Sequence, residues 1–300
     1  MAKSLHPERE TQNRIVKFFE KELGYKYLGN LGDEENFNIR WGDWKKFLSD
    51  SGYSAPFVES LQNEFFKTLN DFSKSPYHTN KEVYRILKYG LKLAEFPGEA
   101  PKTVYFINWE EPEKNNFYIA EEVTVNGNVE KRPDIVLYIN GIAIAVMELK
   151  KSTVSVADGI RQNVTNQREQ FIQRFFSTIQ ICVAANDSEG LRYGTSGTTE
   201  KYYLEWKEDN FTDQLQDKDD LDKILEGKCS KQLNLLEQQC YRIFQKERLL
   251  DIIHNFIIFD SGIKKICRYN QFYAIKRCEK RLSRNQGGIV WHTQGSGKSI

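Results

Sequence analysis

The 300-residue chain lacks most of the features that assign a protein to a class at a glance. It has no long hydrophobic run. No stretch approaches the roughly 20 consecutive apolar residues that a membrane span needs, so no membrane association is expected. Met1 to Glu10 contain no apolar stretch, and no secretory signal is expected there. Cysteine is sparse: five residues (Cys182, Cys229, Cys240, Cys267 and Cys278), odd in number and without Cys-x-x-Cys spacing. That argues against a zinc cluster or a disulfide framework. Free thiols suit a reducing compartment, and a cytoplasmic location is the expectation. Net charge is nearly absent: 43 basic against 42 acidic residues leave +1. Bulk electrostatics therefore give no argument for a nucleic-acid partner, and any DNA surface must be a local patch. Internal repeats and low-complexity tracts are missing as well.

What is present is enough for a real core. Hydrophobic residues make up 39% and aromatic residues 13% of the chain, a length that suits one large domain or two ordinary ones. Pro7, with Glu8 and Glu10 following, opens a helix whose apolar residues Ile15, Phe18, Phe19 and Leu23 recur at helical spacing until Gly24. From there to about residue 75 the pattern reads as irregular. A helix is expected over 81–94. Strands are expected over Thr103–Asn108, Asn116–Val125 and Pro133–Ile139, with Asn126-Gly127 as a turn between the last two. A buried strand over Ile142–Leu149 follows, apolar on both faces: Ile142, Ile144 and Val146 on one, Ala143, Ala145, Met147 and Leu149 on the other. A polar helix is expected over Val156–Phe176 and a strand over Ile179–Ala185. Gly190–Thr199 reads as a loop, Tyr202–Trp206 as an edge strand, and 213–250 as helical and charged.

Three charges interrupt the apolar strands: Asp134, Glu148 and Lys150. A buried charge is costly unless it is paired or binds a metal. Two carboxylates can hold a hard cation such as Mg²⁺ through oxygen. Such a cation acidifies a bound water and neutralises a scissile phosphate, while a lysine can orient the water or stabilise the phosphate. The bland alternative is that Glu148 and Lys150 pair at a strand end, since a Glu-x-Lys triplet alone is common. Geometry offers a check. A two-residue turn at Asn140-Gly141 would set Asp134 opposite Met147. One extra residue would set it opposite Glu148. A shared metal therefore requires a bulge or a longer loop.

The string Lys131-Arg132-Pro133-Asp134, Asn140-Gly141 and Glu148-Leu149-Lys150 resembles the PD-(D/E)xK nuclease motif. More narrowly, it resembles the N-terminal nuclease domain of the restriction (R) subunit of type I restriction–modification enzymes. Pro7 to Gln12, Ala185-Asn186-Asp187 with Arg192 to Thr195, and Arg268 to Ala274 resemble further segments of that family. The resemblance implies an α/β fold, a mixed sheet flanked by helices, over an endonuclease domain at 1–250. It implies Asp134 and Glu148 as metal ligands, Lys150 as the catalytic lysine, and Glu8 (Glu10 in the other register) as a helix acid at the metal. The family also carries a glutamine and a tyrosine on the helix after the lysine. Gln162 fits the glutamine, but Asn166 stands where the tyrosine would be, so Gln162 is either catalytic or on a solvated helix face. Lys131 and Arg132 are either phosphate contacts or a solvated hairpin edge. The implied cofactors are Mg²⁺ and, for a full-length enzyme, ATP. The implied partners are double-stranded DNA and the methyltransferase (M) and specificity (S) subunits.

The last residues carry a second signal. Gly287 to Trp291 read as a glycine-led strand, followed by Gly295-Ser296-Gly297-Lys298-Ser299. This resembles a Walker A loop in which His292 replaces the first glycine, as in superfamily-two helicases. Glycine backbones would wrap the β-phosphate, Lys298 would reach the β/γ-phosphates and Ser299 would ligate Mg²⁺. Gln271 resembles the glutamine with which such helicases read adenine. The expectation for 251–300 is a truncated start of a RecA-like P-loop motor, poorly packed and unable to hydrolyse ATP alone. Two rival readings are a translocase fragment with a decayed nuclease site and a non-catalytic docking fragment.

Overall fold

The apolar runs between residues 117 and 149 become the middle of a sheet. The computed structural model describes residues 8–71, 73–207 and 233–291, with Gln294 and Gly297. In chain order its elements are helix α1 (Glu8–Lys21), strand β1 (Lys26–Asn30), helices α2 (Trp41–Asp50), α3 (Ala55–Leu69) and α4 (Pro76–Tyr89), and strands β2 (Leu91–Leu93), β3 (Lys102–Val104), β4 (Phe117–Glu121), β5 (Ile135–Ile139) and β6 (Ile142–Leu149). Helix α5 (Val156–Asn166), strands β7 (Ile181–Asn186), β8 (Gly190–Gly194) and β9 (Leu204–Glu205), helices α6 (Leu235–Phe244) and α7 (Lys246–Asn255), strands β10 (Ile257–Asp260) and β11 (Ile263–Ile266), and helix α8 (Tyr269–Leu282) follow.

Seven of these strands form a mixed sheet in the order β1-β4-β5-β6-β7-β8-β9. β1 runs parallel to β4, and β6 to β7; the other neighbours are antiparallel. The parallel β6–β7 pair needs a crossover, and α5 supplies it. One sheet face, with Ile135, Leu137, Met147 and Val183, packs on α1, α2, α3 and α4. The opposite face, with Val136, Tyr138, Val146 and Cys182, is covered by the 172–179 segment, and Ala184 beside it meets Val156 and Ile160 of α5. The expected mixed α/β sheet flanked by helices is what the chain forms.

Several local expectations are corrected. The stretch to residue 75 is ordered into β1, α2 and α3; Phe57, Leu61, Phe65 and Leu69 repeat every fourth residue and are all buried. The helix expected over 81–94 runs from Pro76 to Tyr89 and stops at Gly90, whose φ is +77°. Thr103–Asn108 contributes only the end of a short strand. The polar helix ends at Asn166, ten residues earlier than expected, and the chain turns back towards the sheet. Gly190–Gly194 is a strand and not a loop, pairing residue by residue with β7. The charged segment expected as helical over 213–250 lies partly outside the described residues; its described part contains α6 and the first half of α7.

The core runs beyond residue 250. Ile252, Ile253, Phe256, Cys267 and Phe272 belong to the same cluster as Ile15 and Trp44. Three tyrosine hydroxyls tie down the chain from Phe244 onward. Tyr25 donates to Phe244 O at 2.8 Å, Tyr84 to Ile253 O at 3.0 Å and Tyr193 to Cys267 O at 2.8 Å. The loose packing expected for residues 251–300 is therefore not found over 251–272. Leu282, Ile289 and Trp291 beyond them are exposed.

Candidate active site

The β5–β6 hairpin decides where the charges point. Its turn is the two-residue Asn140-Gly141, with φ of 50° and 82°, the left-handed pair that matches strand twist. Asn140 is wholly buried, yet its side chain is satisfied: Oδ1 accepts from Asn116 N at 2.7 Å and Nδ2 donates to Phe106 O at 2.9 Å. Near the turn Tyr138 faces Ala143, but further on Leu137 faces Ala145 and Ile135 faces Met147. Ile144 is the additional residue, a bulge as the shared-metal argument requires. Continuing the register by one residue sets Asp134 opposite Glu148.

The bulge also exchanges the faces of the far half of β6. Ile144, Ala145, Met147 and Leu149 lie in the cluster of Ile142, whereas Val146 joins Ala143 on the other face. The faces expected from strict alternation are thus wrong for Ala145, Val146, Met147 and Leu149, because a bulge places two consecutive side chains on one side. Glu148 consequently points to the α5 face, away from the larger core.

Glu148 is 0% exposed. Burial, then the charge of Asp134, then a hydrogen bond to Asp134 push its carboxyl well above the usual range, while the Lys150 charge pulls it down. Asp134 rises to about 6, again chiefly by burial and against the pull of the Leu149 N–H, which donates to Asp134 Oδ2 at 2.7 Å. Two carboxyls that crowd each other in a dry site share protons unless a cation replaces them. Lys150 Nζ donates to Leu149 O at 2.8 Å and lies 3.8 Å from Glu8 Oε1, so the first residue of α1 reaches this end of the sheet. Gln12, one turn along α1, donates to Asp134 O at 3.0 Å.

Helix α5 holds Glu148 from above. Gln162 Nε2 donates to Glu148 Oε2 at 2.6 Å, and Asn166 Nδ2 donates to Oε1 at 3.2 Å. Residues four apart share a helix face, so both carboxamides reach one carboxylate. Gln162 is accordingly not on a solvated face. Asn166 was not selected from the sequence. Its spacing from Gln162 was visible, but nothing in the composition says where the helix docks. Its Oδ1 is buried and has no hydrogen-bond partner.

These residues fit a hard divalent cation. The donors are all oxygen, which suits Mg²⁺, Ca²⁺ or Mn²⁺. Burial raises both carboxyls and a cation would favour their ionised forms, while an orphaned amide oxygen beside them could accept from a bound water. Among the described residues no group of three or more His, Cys, Asp or Glu side chains gathers as a ready-made cage. Mg²⁺ typically needs only one or two carboxylates, with waters and substrate phosphate completing its shell.

The remaining candidates stand apart. Lys131 Nζ sits 4.4 Å from the centre of the Phe171 ring, and Arg132 Nε pairs with Glu122 at 3.1 Å. Gln271 accepts from Arg268 N at 2.8 Å at the start of α8, and its Nε2 contacts Gly297 O. Gly295, Ser296, Lys298 and Ser299 lie outside the described residues. No helix among the described residues is long and apolar enough to cross a membrane.

Comparison with known proteins places the chain in a family. The family model described as type I restriction enzyme R protein N terminus matches residues 5–201. A second, described as SWI2/SNF2 ATPase, matches residues 270–300. A Methanocaldococcus jannaschii protein carrying the name type I restriction enzyme MjaIXP endonuclease subunit is 28% identical over 100% of this chain and 31% of its own length. The type I restriction enzyme HindI endonuclease subunit of Haemophilus influenzae is 27% identical over 74% of the chain and 21% of its own length. A Staphylococcus aureus type I endonuclease subunit, SauMSSORF170P, is 24% identical over 73% and 22%. The chain thus spans less than a third of the length of these relatives. With the first family match covering well over half of the chain, and every residue from Glu8 to Asn166 within it, the chain belongs to the family of type I restriction enzyme R proteins and corresponds to their N-terminal region.

Proposed function

We propose that the described unit is the Mg²⁺-dependent endonuclease domain of a type I restriction enzyme R subunit, acting on double-stranded DNA. The observation that carries this reading is the bulge at Ile144, which turns Glu148 to face Asp134 in a buried site that also holds Lys150. Asp134 and Glu148 would hold the cation, with Leu149 O as a further oxygen nearby and Glu8 at the edge of the site. The cation, when bound, supplies a water of lowered pKa and positive charge against the scissile phosphate. Lys150 would place its ammonium beside the attacking water or the phosphate oxygens. Gln162 and Asn166 would keep both Glu148 oxygens aimed at the site, and their N–H donors favour its ionised form. Lys131 and Arg132, just before Asp134, would meet backbone phosphates, which position DNA without reading its sequence.

In the longer protein, the phosphate-loop residues Gly295 to Ser299 with Gln271 would serve an ATP-driven DNA motor, so that cleavage follows translocation. Sequence recognition would fall to an S subunit and methylation to an M subunit of the same complex. Calorimetric titration of Mn²⁺ or Mg²⁺ into the wild type and Glu148→Ala, beside a plasmid-nicking assay, tests the nuclease reading. Binding and nicking are expected in the wild type and absent in the variant. A wild type that binds no metal, with or without DNA, would refute it.

A further inference from the structure

Next to the segment that leaves α5 lies a groove of about 690 Å³ that the nuclease reading does not use. That volume is within the range of pockets that enclose a ligand. Its two lips are the Asn126-Gly127-Asn128 turn and the strip from Gln167 to Arg174. They are joined: Asn128 N donates to Phe171 O at 3.3 Å and its Nδ2 to Glu169 O at 2.8 Å. Each lip leads into the carboxylate site. Residues 129–133 connect the first to Asp134, and the second begins one residue after Asn166.

Charge decides what the groove suits. Its ionisable lining is Glu35, Asp71 and Glu169 against Lys74, Arg174 and Lys264. Three of each sign leave no excess cation to collect phosphates, which is what a phosphate channel requires. Asp71 and Lys74 already pair at 3.1 Å. Lys264, 5% exposed, is occupied by Ile179 O at 3.1 Å, Gln180 Oε1 at 2.7 Å and Ser196 Oγ at 3.3 Å. Beside Glu35, Glu169 and Arg174, the lining offers flat apolar surface and carboxamides. Phe37, Tyr77 and Phe171 line the groove beside Asn126 and Gln173, and Phe37 is 58% exposed. Aromatic faces stack on any base, and carboxamides match the paired donors and acceptors of base edges.

A buried acceptor stands in the lining. Asn80 is 3% exposed and spends its Nδ2 on the carbonyls of Phe176, Ser177 and Ile179. Its Oδ1 has no partner. Lys131, over the Phe171 ring, provides a cation outside the groove for the backbone that such bases would carry.

We propose that this groove is a nucleobase-binding site that takes the bases of an unpaired DNA strand beside the candidate nuclease centre. The DNA source rests on the nuclease reading; the nucleobase chemistry rests on the groove alone. The test is fluorescence anisotropy in EDTA, with a labelled single-stranded oligonucleotide, the matching duplex, and unlabelled deoxyadenosine as competitor. The full chain is compared with Phe37→Ala, Gln173→Ala and Glu148→Ala. Expected are tighter binding of the single strand than of the duplex and a loss of about tenfold in Phe37→Ala, the size of one lost stacking contact. Glu148→Ala should bind the strand like the wild type, which keeps this result separate from the metal titration. Efficient competition by deoxyadenosine would keep the nucleobase site but make a free nucleoside its ligand and overturn the strand source. Equal or tighter duplex binding, or a strand affinity untouched by both groove variants, would overturn the proposal.

Discussion

Asp134→Asn should make the metal-free protein more stable at pH 8. The Asp134 carboxyl stands at about 6 against an ordinary 3.8, because burial opposes its charge. A carboxyl raised on folding contributes stability below its unfolded value, here 3.8, and loses that stability as the pH rises through the folded value of about 6. At pH 8 the ionised side chain therefore costs the fold about 3 kcal/mol, from roughly two pH units at about 1.4 kcal/mol each. At pH 5 about half of that cost remains. An asparagine can still accept the Leu149 N–H, and its amide can donate towards Glu148. Thermal unfolding in EDTA should place the variant's midpoint roughly 6–12 °C above the wild type at pH 8, with a smaller gap at pH 5. Mg²⁺ at a thousand times its Kd should reverse the order, because it adds about 4.1 kcal/mol to the protein that binds it. A variant less stable than the wild type at pH 8 in EDTA would refute the claim that this carboxylate is uncompensated.

Metal binding should also expel protons from the Asp134–Glu148 pair, since both carboxyls are raised and the cation takes the ionised form. Titrations near pH 6.5 in buffers of different ionisation enthalpy would then give apparent enthalpies that become more exothermic as that enthalpy increases, because the buffer takes up the released protons, and buffer-independent heats would exclude it. Gln162→Leu and Asn166→Leu should each weaken metal binding about 10- to 100-fold, the usual effect of losing a group that orients a ligand. Their unfolding midpoints in EDTA should stay close to the wild type, and an unchanged metal affinity would mean the carboxamides merely fill space. Deleting Ile144 removes the bulge but should leave Ala145 opposite Leu137 and Glu148 opposite Asp134, so metal binding should persist while the lost core side chain lowers the denaturant midpoint; a folded variant that binds no metal would refute this register.

The central sheet was legible because its apolar residues are dense. β4, β5, β6 and β7 are buried along their whole length, and continuous apolar runs of that size have few other uses. The region before residue 75 was obscured by polar and aromatic mixing. In α3 only the fourth-residue repeat from Phe57 to Leu69 carries the signal, and the exposed Phe66 sits inside it. β8 was missed for a different reason. Gly190 and Gly194 are turn residues by composition, yet a Cβ at Gly190 would come within 2.3 Å of Gln239 Oε1. The glycine is there so that α6 can pack over the strand, a long-range fact that no local pattern contains.

The candidate site divides along the same line. Asp134, Glu148 and Lys150 stood out because charge within an apolar run is costly and asks for a partner. Whether the two acids could meet depended on one residue of register, and the sequence supplied that as a condition on the hairpin. The bulge at Ile144 meets the condition while keeping the tight Asn140-Gly141 turn. Asn166 could not be found this way. A carboxamide on a polar helix has no cost to betray it; it matters only because α5 ends there and docks with that turn over Glu148. Its counterpart in the family is a tyrosine, so resemblance pointed away from it. The two donors from α5 act on a carboxylate that β6 alone would leave protonated. Strand register brings Glu148 to Asp134 but buries it, which opposes the ionised state that a cation needs, and helix docking supplies donors that favour that state. A substitution in either element should change metal affinity before it changes the fold.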